Sequence, residues 1–167
     1  MHYKSGVVPP PSVLNPLIKI QKKAIRLITL SHYNSHTEPL FKKLDILPLN
    51  FLIELTKLQT MQNFIYGLLP ESIMEDWELL RNRRQDQVNV VLRNHDDIFV
   101  PMARTTHCER LPFISFPKTW NSFNEPTIKI IINKLEFKFK LKQYFLGKLS
   151  ENYLCTRLLC PRCHLNT

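Results

Sequence analysis

Glycine is scarce in this sequence, with 3 residues in 167, and that removes whole classes of function at once. Phosphate-cradling loops need several glycines to bring backbone amides close to a nucleotide, so Walker and Rossmann sites are excluded. Long hydrophobic runs are missing as well. No stretch approaches the roughly 18 to 20 apolar residues of a membrane-spanning helix, and the opening MHYKSGVVPPPS has no secretory apolar core. Cysteine is limited to 4 residues, and with no secretion signal they imply a reducing compartment, so the expected location is cytoplasmic or nuclear rather than secreted. The histidines His2, His32, His36, His95 and His107 are scattered without metal-protease spacing, and no serine stands in a nucleophile elbow.

What is present is ordinary globular composition with a basic excess. Hydrophobic residues make up 44% and charged residues 22%, enough to bury a core. Lysine and arginine total 23 against 14 acids, a formal charge of +9 that favours polyanionic partners. The excess sits at the two ends. Residues 1–30 hold Lys4, Lys19, Lys22, Lys23 and Arg26 and no acid, and residues 127–150 hold Lys129, Lys134, Lys138, Lys140, Lys142 and Lys148 against Glu136 alone. Between them, residues 38–86 carry eight acids and six bases. The plain reading of such charge is a solvated surface.

Proline, at 12 residues, cuts the chain into short elements. Behind a proline-rich lead-in over 1–12, Ser12 is positioned to cap a helix over 13–30, with Pro16 in its first turn. Steps of about 100° per residue place Leu14, Leu17, Ala24, Ile25 and Ile28 on one side and Lys19, Lys22, Lys23 and Arg26 on the other. A loop over 31–37 precedes a short helix capped by Thr37 and running through Leu44. Phe51, Leu55, Leu58, Ile65 and Leu69, broadened by Leu52 and Tyr66, predict an amphipathic helix over 49–68 whose seam is interrupted by Gln62. Such a stripe is more often internal packing than a partner groove.

Pro70 ends that helix. Residues 78–87 read as a linker, and over 88–116 the helical period fails, predicting short strands or irregular chain. After Pro117 the run KTWNSF reads as a helical turn anchored by Trp120. A last helix over 127–149 presents Ile131, Leu135, Phe139 and Leu146 on one side and Lys134, Lys138 and Lys142 at every fourth residue. The resulting division is a lead-in at 1–12, a helical domain at 13–77, a linker with irregular or short-stranded chain at 78–126, a basic helix at 127–149 and a cysteine-rich tail at 150–167. The fold class is mainly α.

Two constellations have the residue types of a metal site. Asp96-Asp97 between β-like runs has the look of a polymerase carboxylate pair, but the position two residues earlier is Asn94 rather than an aromatic, and no third carboxylate stands upstream on a strand of its own. A polar turn is the better reading. Cys155, Cys160, Cys163 and His164 supply three thiolates and an imidazole, the number zinc requires. Adjacent Cys163 and His164 rarely reach one ion together, which leaves Cys108, His107 or another chain as sources of a fourth ligand and reduced tail cysteines as the plain alternative.

The basic side of the first helix has the clearest physical task. Four cations along one rigid rod can track a phosphate backbone without reading bases. A membrane-surface role is weakened because the apolar side has Leu and Ile but no Trp or Phe. Phe137, Phe139, Tyr144 and Phe145 interleave with lysines in the manner of a base-stacking surface, although at helical spacing such residues are more often core.

The runs LNPLIKIQKKAIRLIT, SHYNSHTEPLFKKLDILPL, LRNHDDIFVPMART and KTWNSF, in that order, resemble the carboxy-terminal region of reverse transcriptases from jockey-type non-LTR retrotransposons of the LINE class. The resemblance covers most of the chain between Leu14 and Leu149. It implies a thumb, the helical subdomain that follows the palm and grips the template and primer. Gln21, Lys22, Lys23, Ala24 and Arg26 match the thumb-helix motif, making the basic face a duplex-facing surface. Arg104, Thr105, Trp120 and Asn121 match the later segment, with Arg104 as a phosphate contact or an ion-pair partner and Trp120 as a packing anchor. The implied partners are RNA, an RNA–DNA hybrid or DNA, together with the palm of the parent polymerase. That palm holds the catalytic aspartates and their Mg²⁺. This sequence carries none of them, so the expectation is a fragment of an RNA-directed DNA polymerase with no enzymatic activity of its own. Two other readings stay open: a helical protein-interaction module of unrelated descent, and a decayed fragment without function.

Overall fold

A computed structural model of the chain describes residues 8–70, 77 and 97–151. Among the described residues the protein is mainly helical, with seven helices and no β-strand, compatible with a small helical bundle. The helices are α1 (Pro11–Ile28), α2 (Glu38–Lys43), α3 (Leu49–Ile65), α4 (Thr106–Glu109), α5 (Pro112–Ser122), α6 (Pro126–Lys129) and α7 (Lys134–Glu151). They belong to two compact units, each made of separate stretches of chain. One comprises Pro10–Leu55 with Lys138–Thr167, and the other Thr56–Phe137 with Met1–Pro9. The boundaries between them fall inside α3 and α7.

In the unit built on Pro10–Leu55, α1 begins one turn's fraction earlier than its composition implies. Pro11 takes the first helical position, where a missing N–H costs nothing, and Ser12 is inside the helix rather than capping it. Pro16 is therefore an interior proline, not a first-turn one, and it withholds one backbone hydrogen bond. Thr37 does occupy the cap position of α2, but its side chain makes no capping bond. Both helices close with the chain reversing through a left-handed residue, Leu30 at φ 51° and Asp45 at φ 54°. Each time the next amide reaches back five residues: Ser31 N–H donates to the Arg26 carbonyl at 2.9 Å and Ile46 N–H to the Phe41 carbonyl at 3.0 Å. Ile25, Leu40, Phe41, Leu47 and Leu55 are buried here, as are Leu141, Phe145, Leu146 and Leu149 from α7. Phe51 stacks on Phe145 with ring centroids 5.2 Å apart.

The unit built on Thr56–Phe137 buries Leu58, Met61 and Phe64 from α3 together with Trp77, Ile98, Ile114, Trp120, Phe123 and Phe137. Its α3 segment ends at Ile65, and the chain turns through Gly67, again left-handed at φ 66°, with Leu68 N–H reaching the Asn63 carbonyl at 2.7 Å. Gln62, expected to break the seam, is fully buried and uses the break: its Nε2 donates to the Ile131 carbonyl at 2.7 Å. The single helix expected over 127–149 is accordingly two. Chain irregular at 131–133 offers its carbonyls to Gln62, and Asn133 restarts the helix by accepting from Leu135 N–H at 2.9 Å and Glu136 N–H at 3.3 Å.

The expectation of strands or irregular chain over 88–116 needs correction at its far end. Residues 97–105 contain no helix, but α4 starts at Thr106 and α5 at Pro112. Thr105 Oγ1 caps α4 by accepting from Cys108 N–H at 3.2 Å, and Pro112 opens α5 at a first-turn position. These start signals decide the matter where periodicity is silent. Pro117, taken as a boundary, is buried inside α5.

Candidate nucleic-acid interface

The four cations of α1 fall into two pairs. Lys19 and Lys23 are exposed. Lys22 and Arg26 lie closer to the packed side and are drawn into the fold: Lys22 Nζ is 3.8 Å from Glu38 Oε1, and Arg26 Nε donates to the Ser35 carbonyl at 2.9 Å. Ser35 is completely buried, so Arg26 holds the 31–37 loop against α1. The Lys22–Glu38 contact is a surface pair of the kind that contributes about 0 to 1 kcal/mol and yields readily to a competing phosphate.

Gln21 shows why the helix can present charge rigidly. Its Nε2 donates to the Leu47 carbonyl at 3.2 Å, while its Oε1 accepts from Leu49 N–H at 2.9 Å, where α3 begins without an intrahelical partner for that amide. A polar residue on the apolar flank of a helix is a faint sequence signal for such a clamp. Only the family motif had singled Gln21 out.

The packed side of α1 is only partly the one expected. Ile25 is buried, and Leu14, Ile18 and Gln21 are half-buried, whereas Leu17, Ala24 and Ile28 are exposed. Apolar residues cover more than half of this helix's circumference, and the fold uses only one part of that arc. In α7 the correction is the same. Phe137, Leu141 and Phe145 form the buried stripe, while Leu135 and Phe139, placed by sequence on the packing side, are exposed.

Lys134 and Lys138 are exposed on α7, and Lys142 forms an ion pair with Asp45. Of the interleaved aromatics, Phe137 and Phe145 are core, and Lys148 Nζ sits 4.6 Å from the Tyr144 ring centroid. Phe139 alone among these four stands substantially in solvent, at 59% exposure. The α1 cations, Lys138 and Lys142 belong to one unit, and Arg104 and Lys134 to the other. Arg104 is exposed beside the Thr105 cap.

Trp120 is buried, with Lys129 Nζ 5.3 Å from its ring centroid and the Phe137 ring 6.4 Å away, the packing role foreseen for it. Burial lowers the Lys129 pKa below the usual lysine value, and the charge of Asp97 partly opposes that shift. Asn121 pairs with both backbone groups of Ile98: Oδ1 accepts from its N–H at 3.1 Å and Nδ2 donates to its carbonyl at 2.8 Å. Asp97 thus adjoins a fixed point of the fold, and Asp96 lies outside the described residues.

The cysteine constellation at Cys155, Cys160, Cys163 and His164 also lies outside the described residues. Of the further ligands considered, Cys108 is occupied with Thr105, whose Oγ1 donates to its Sγ at 3.2 Å. Among the described residues no group of three or more His, Cys, Asp or Glu is placed to hold a metal ion. Among them, too, no helix is long and apolar enough to cross a membrane. Comparison with protein-family models, with curated proteins and with solved structures finds no match for this chain.

Proposed function

We propose that this chain is a nucleic-acid-gripping piece of a non-LTR retrotransposon reverse transcriptase, acting as its thumb. The observation that supports this most is the side of α1 bearing Lys19, Lys22, Lys23 and Arg26, with no acid anywhere on that helix. Two of these cations are free to meet phosphate, and the other two make one exposed ion pair and one backbone contact. Binding of this kind releases counterions, tracks the sugar–phosphate chain of RNA, DNA or their hybrid, and carries no sequence preference. Lys138 and Lys142 on α7, in the same unit as α1, add secondary phosphate contacts, and Lys134 and Arg104 are phosphate-binding candidates of the other unit.

Phosphoryl transfer would belong to the palm, which supplies the carboxylates and Mg²⁺ in such polymerases and is the expected protein partner. Cys155, Cys160 and Cys163, with His164 or a ligand from elsewhere as the fourth, are a zinc site in this reading. Stoichiometric zinc in protein purified under reducing conditions would support it, and its absence would remove it.

The decisive experiment reverses Lys19, Lys22, Lys23 and Arg26 to Glu and measures affinity for an RNA–DNA hybrid across a salt series. The intact chain should show a steep negative dependence on salt, and the variant no measurable binding. Undiminished affinity would end the proposal. A cooperative thermal transition of the intact chain separates it from a decayed fragment that does not fold.

A further inference from the structure

The part of α1 that the fold leaves uncovered has a pattern of its own. Val13, Leu17, Ile20, Ala24 and Leu27 recur at alternating steps of four and three residues, and all are exposed. Leu17 stands at 48%, Ile20 at 62% and Leu27 at 75% exposure. That alternation is the heptad seam of a helix that packs side by side with another helix. An ordinary surface scatters its exposed apolar residues singly; a run at fixed heptad register is a different thing.

Leu30 is a second, independent sign. It closes α1 in the left-handed conformation, at φ 51°, where glycine or asparagine is favoured, and its side chain is 93% exposed. Among the described residues its side chain gains almost no burial that would favour leucine there. Leu30 lies two residues past the last helical residue, Ile28, so it adds exposed apolar surface at the end of α1 rather than a further heptad position.

Charge selects the occupant. Lys23 borders the seam, Lys19 stands just outside it, and the first acid in the sequence is Glu38. A second copy would set one cationic flank against another with no acid to pair it. A lipid surface would call for a broad apolar face with Trp or Phe, which α1 lacks. The geometry points to a single occupant: an amphipathic α-helix of another polypeptide, with Leu- or Ile-type residues on its seam and Glu or Asp on the flank meeting Lys23. This goes beyond nucleic-acid binding and does not depend on it, because the apolar seam is a different arc of α1 from the four-cation side, and the two share only Lys23 at their border.

The test titrates the full chain with a three-heptad peptide bearing Leu on its seam and Glu on both flanks, a composition that repels itself. Saturable binding is expected, weakening by at least about tenfold for the uncharged Leu17→Gln/Ile20→Gln variant. A Lys-flanked version of the peptide should bind the unaltered chain several-fold more weakly, and that arm needs no variant to fold. Both altered residues are exposed, so an unchanged urea midpoint is expected to accompany the loss. Hybrid binding by the variant should persist, so that failure of this inference and failure of the thumb reading are distinguishable. The inference is overturned by absent binding of the acidic peptide, by equal binding of the two peptides, or by binding that survives the double substitution. Concentration-dependent dimerisation, or sedimentation with phosphatidylserine vesicles, lost in the same variant would equally overturn it by assigning the face to another occupant.

Discussion

The two basic helices α1 and α7 look alike as sequence and are held in opposite ways. α7 drives Phe137, Leu141, Phe145, Leu146 and Leu149 into the interior and wears its lysines on the outside. α1 buries only Ile25 fully and is otherwise fastened by polar contacts from Gln21, Lys22 and Arg26. A helix anchored by core burial has its orientation fixed by the hydrophobic effect, and its lysines are decoration on that result. A helix anchored largely by hydrogen bonds keeps a second apolar arc in solvent. The lesson is that cationic periodicity alone does not say how deeply a helix is packed or which of its arcs is left in solvent.

The comparison is most exposed to truncation of the core. Leu141→Ala removes a completely buried side chain and should cost about 2 to 5 kcal/mol in urea unfolding. A loss no larger than that of an exposed residue such as Leu135→Ala would break the distinction between the two faces of α7. Next in size is Gln21→Ala, which strands the Leu49 amide and the Leu47 carbonyl. It should cost about 1 to 3 kcal/mol, whereas the exposed Gln143→Ala on α7 should cost nearly nothing.

Leu30→Gly sharpens the comparison from the other side. Relieving the left-handed leucine should stabilise the fold by about 1 kcal/mol while weakening capture of the acidic peptide. Loss of stability instead would show that Leu30 packs within the chain. Lys22→Ala should change stability by about 0 to 1 kcal/mol, with the effect fading at high salt.

The smallest effect is a pH dependence. Because the Lys129 pKa is lowered by burial, the folded chain releases that proton more readily than the unfolded chain. Stability therefore rises with pH through the interval between the lowered folded value and the ordinary lysine value, and is flat below it. Lys129→Met should flatten that rise in alkaline denaturation curves.

Several elements were legible in sequence because local chemistry specifies them. Helices at both ends and across Phe51 to Ile65 follow from apolar periodicity, and α2 from the proline and acid after Thr37. The start of α5 and the break before α7 were less legible, since each depends on one helix-start residue whose signal a periodicity reading overlooks: the first-turn Pro112 in the first case, the cap Asn133 in the second. Gln62 was visible as an anomaly but not as a partner for carbonyls some seventy residues away, because nothing local specifies a long-range hydrogen bond. The cationic residues of the candidate site were readable one by one. Their division into exposed Lys19 and Lys23 and engaged Lys22 and Arg26 was not, since Glu38 and the Ser35 carbonyl meet α1 only after the chain turns back.

Sequence by itself determined that this protein is helical, basic at both ends and amphipathic on α1 and α7, because those properties need nothing beyond a residue's neighbours within a turn or two. Tertiary structure alone decided which arc of each helix is buried. An apolar arc wider than one packing face can be satisfied by more than one rotation, and only the shape and polar partners of the surrounding chain choose between them.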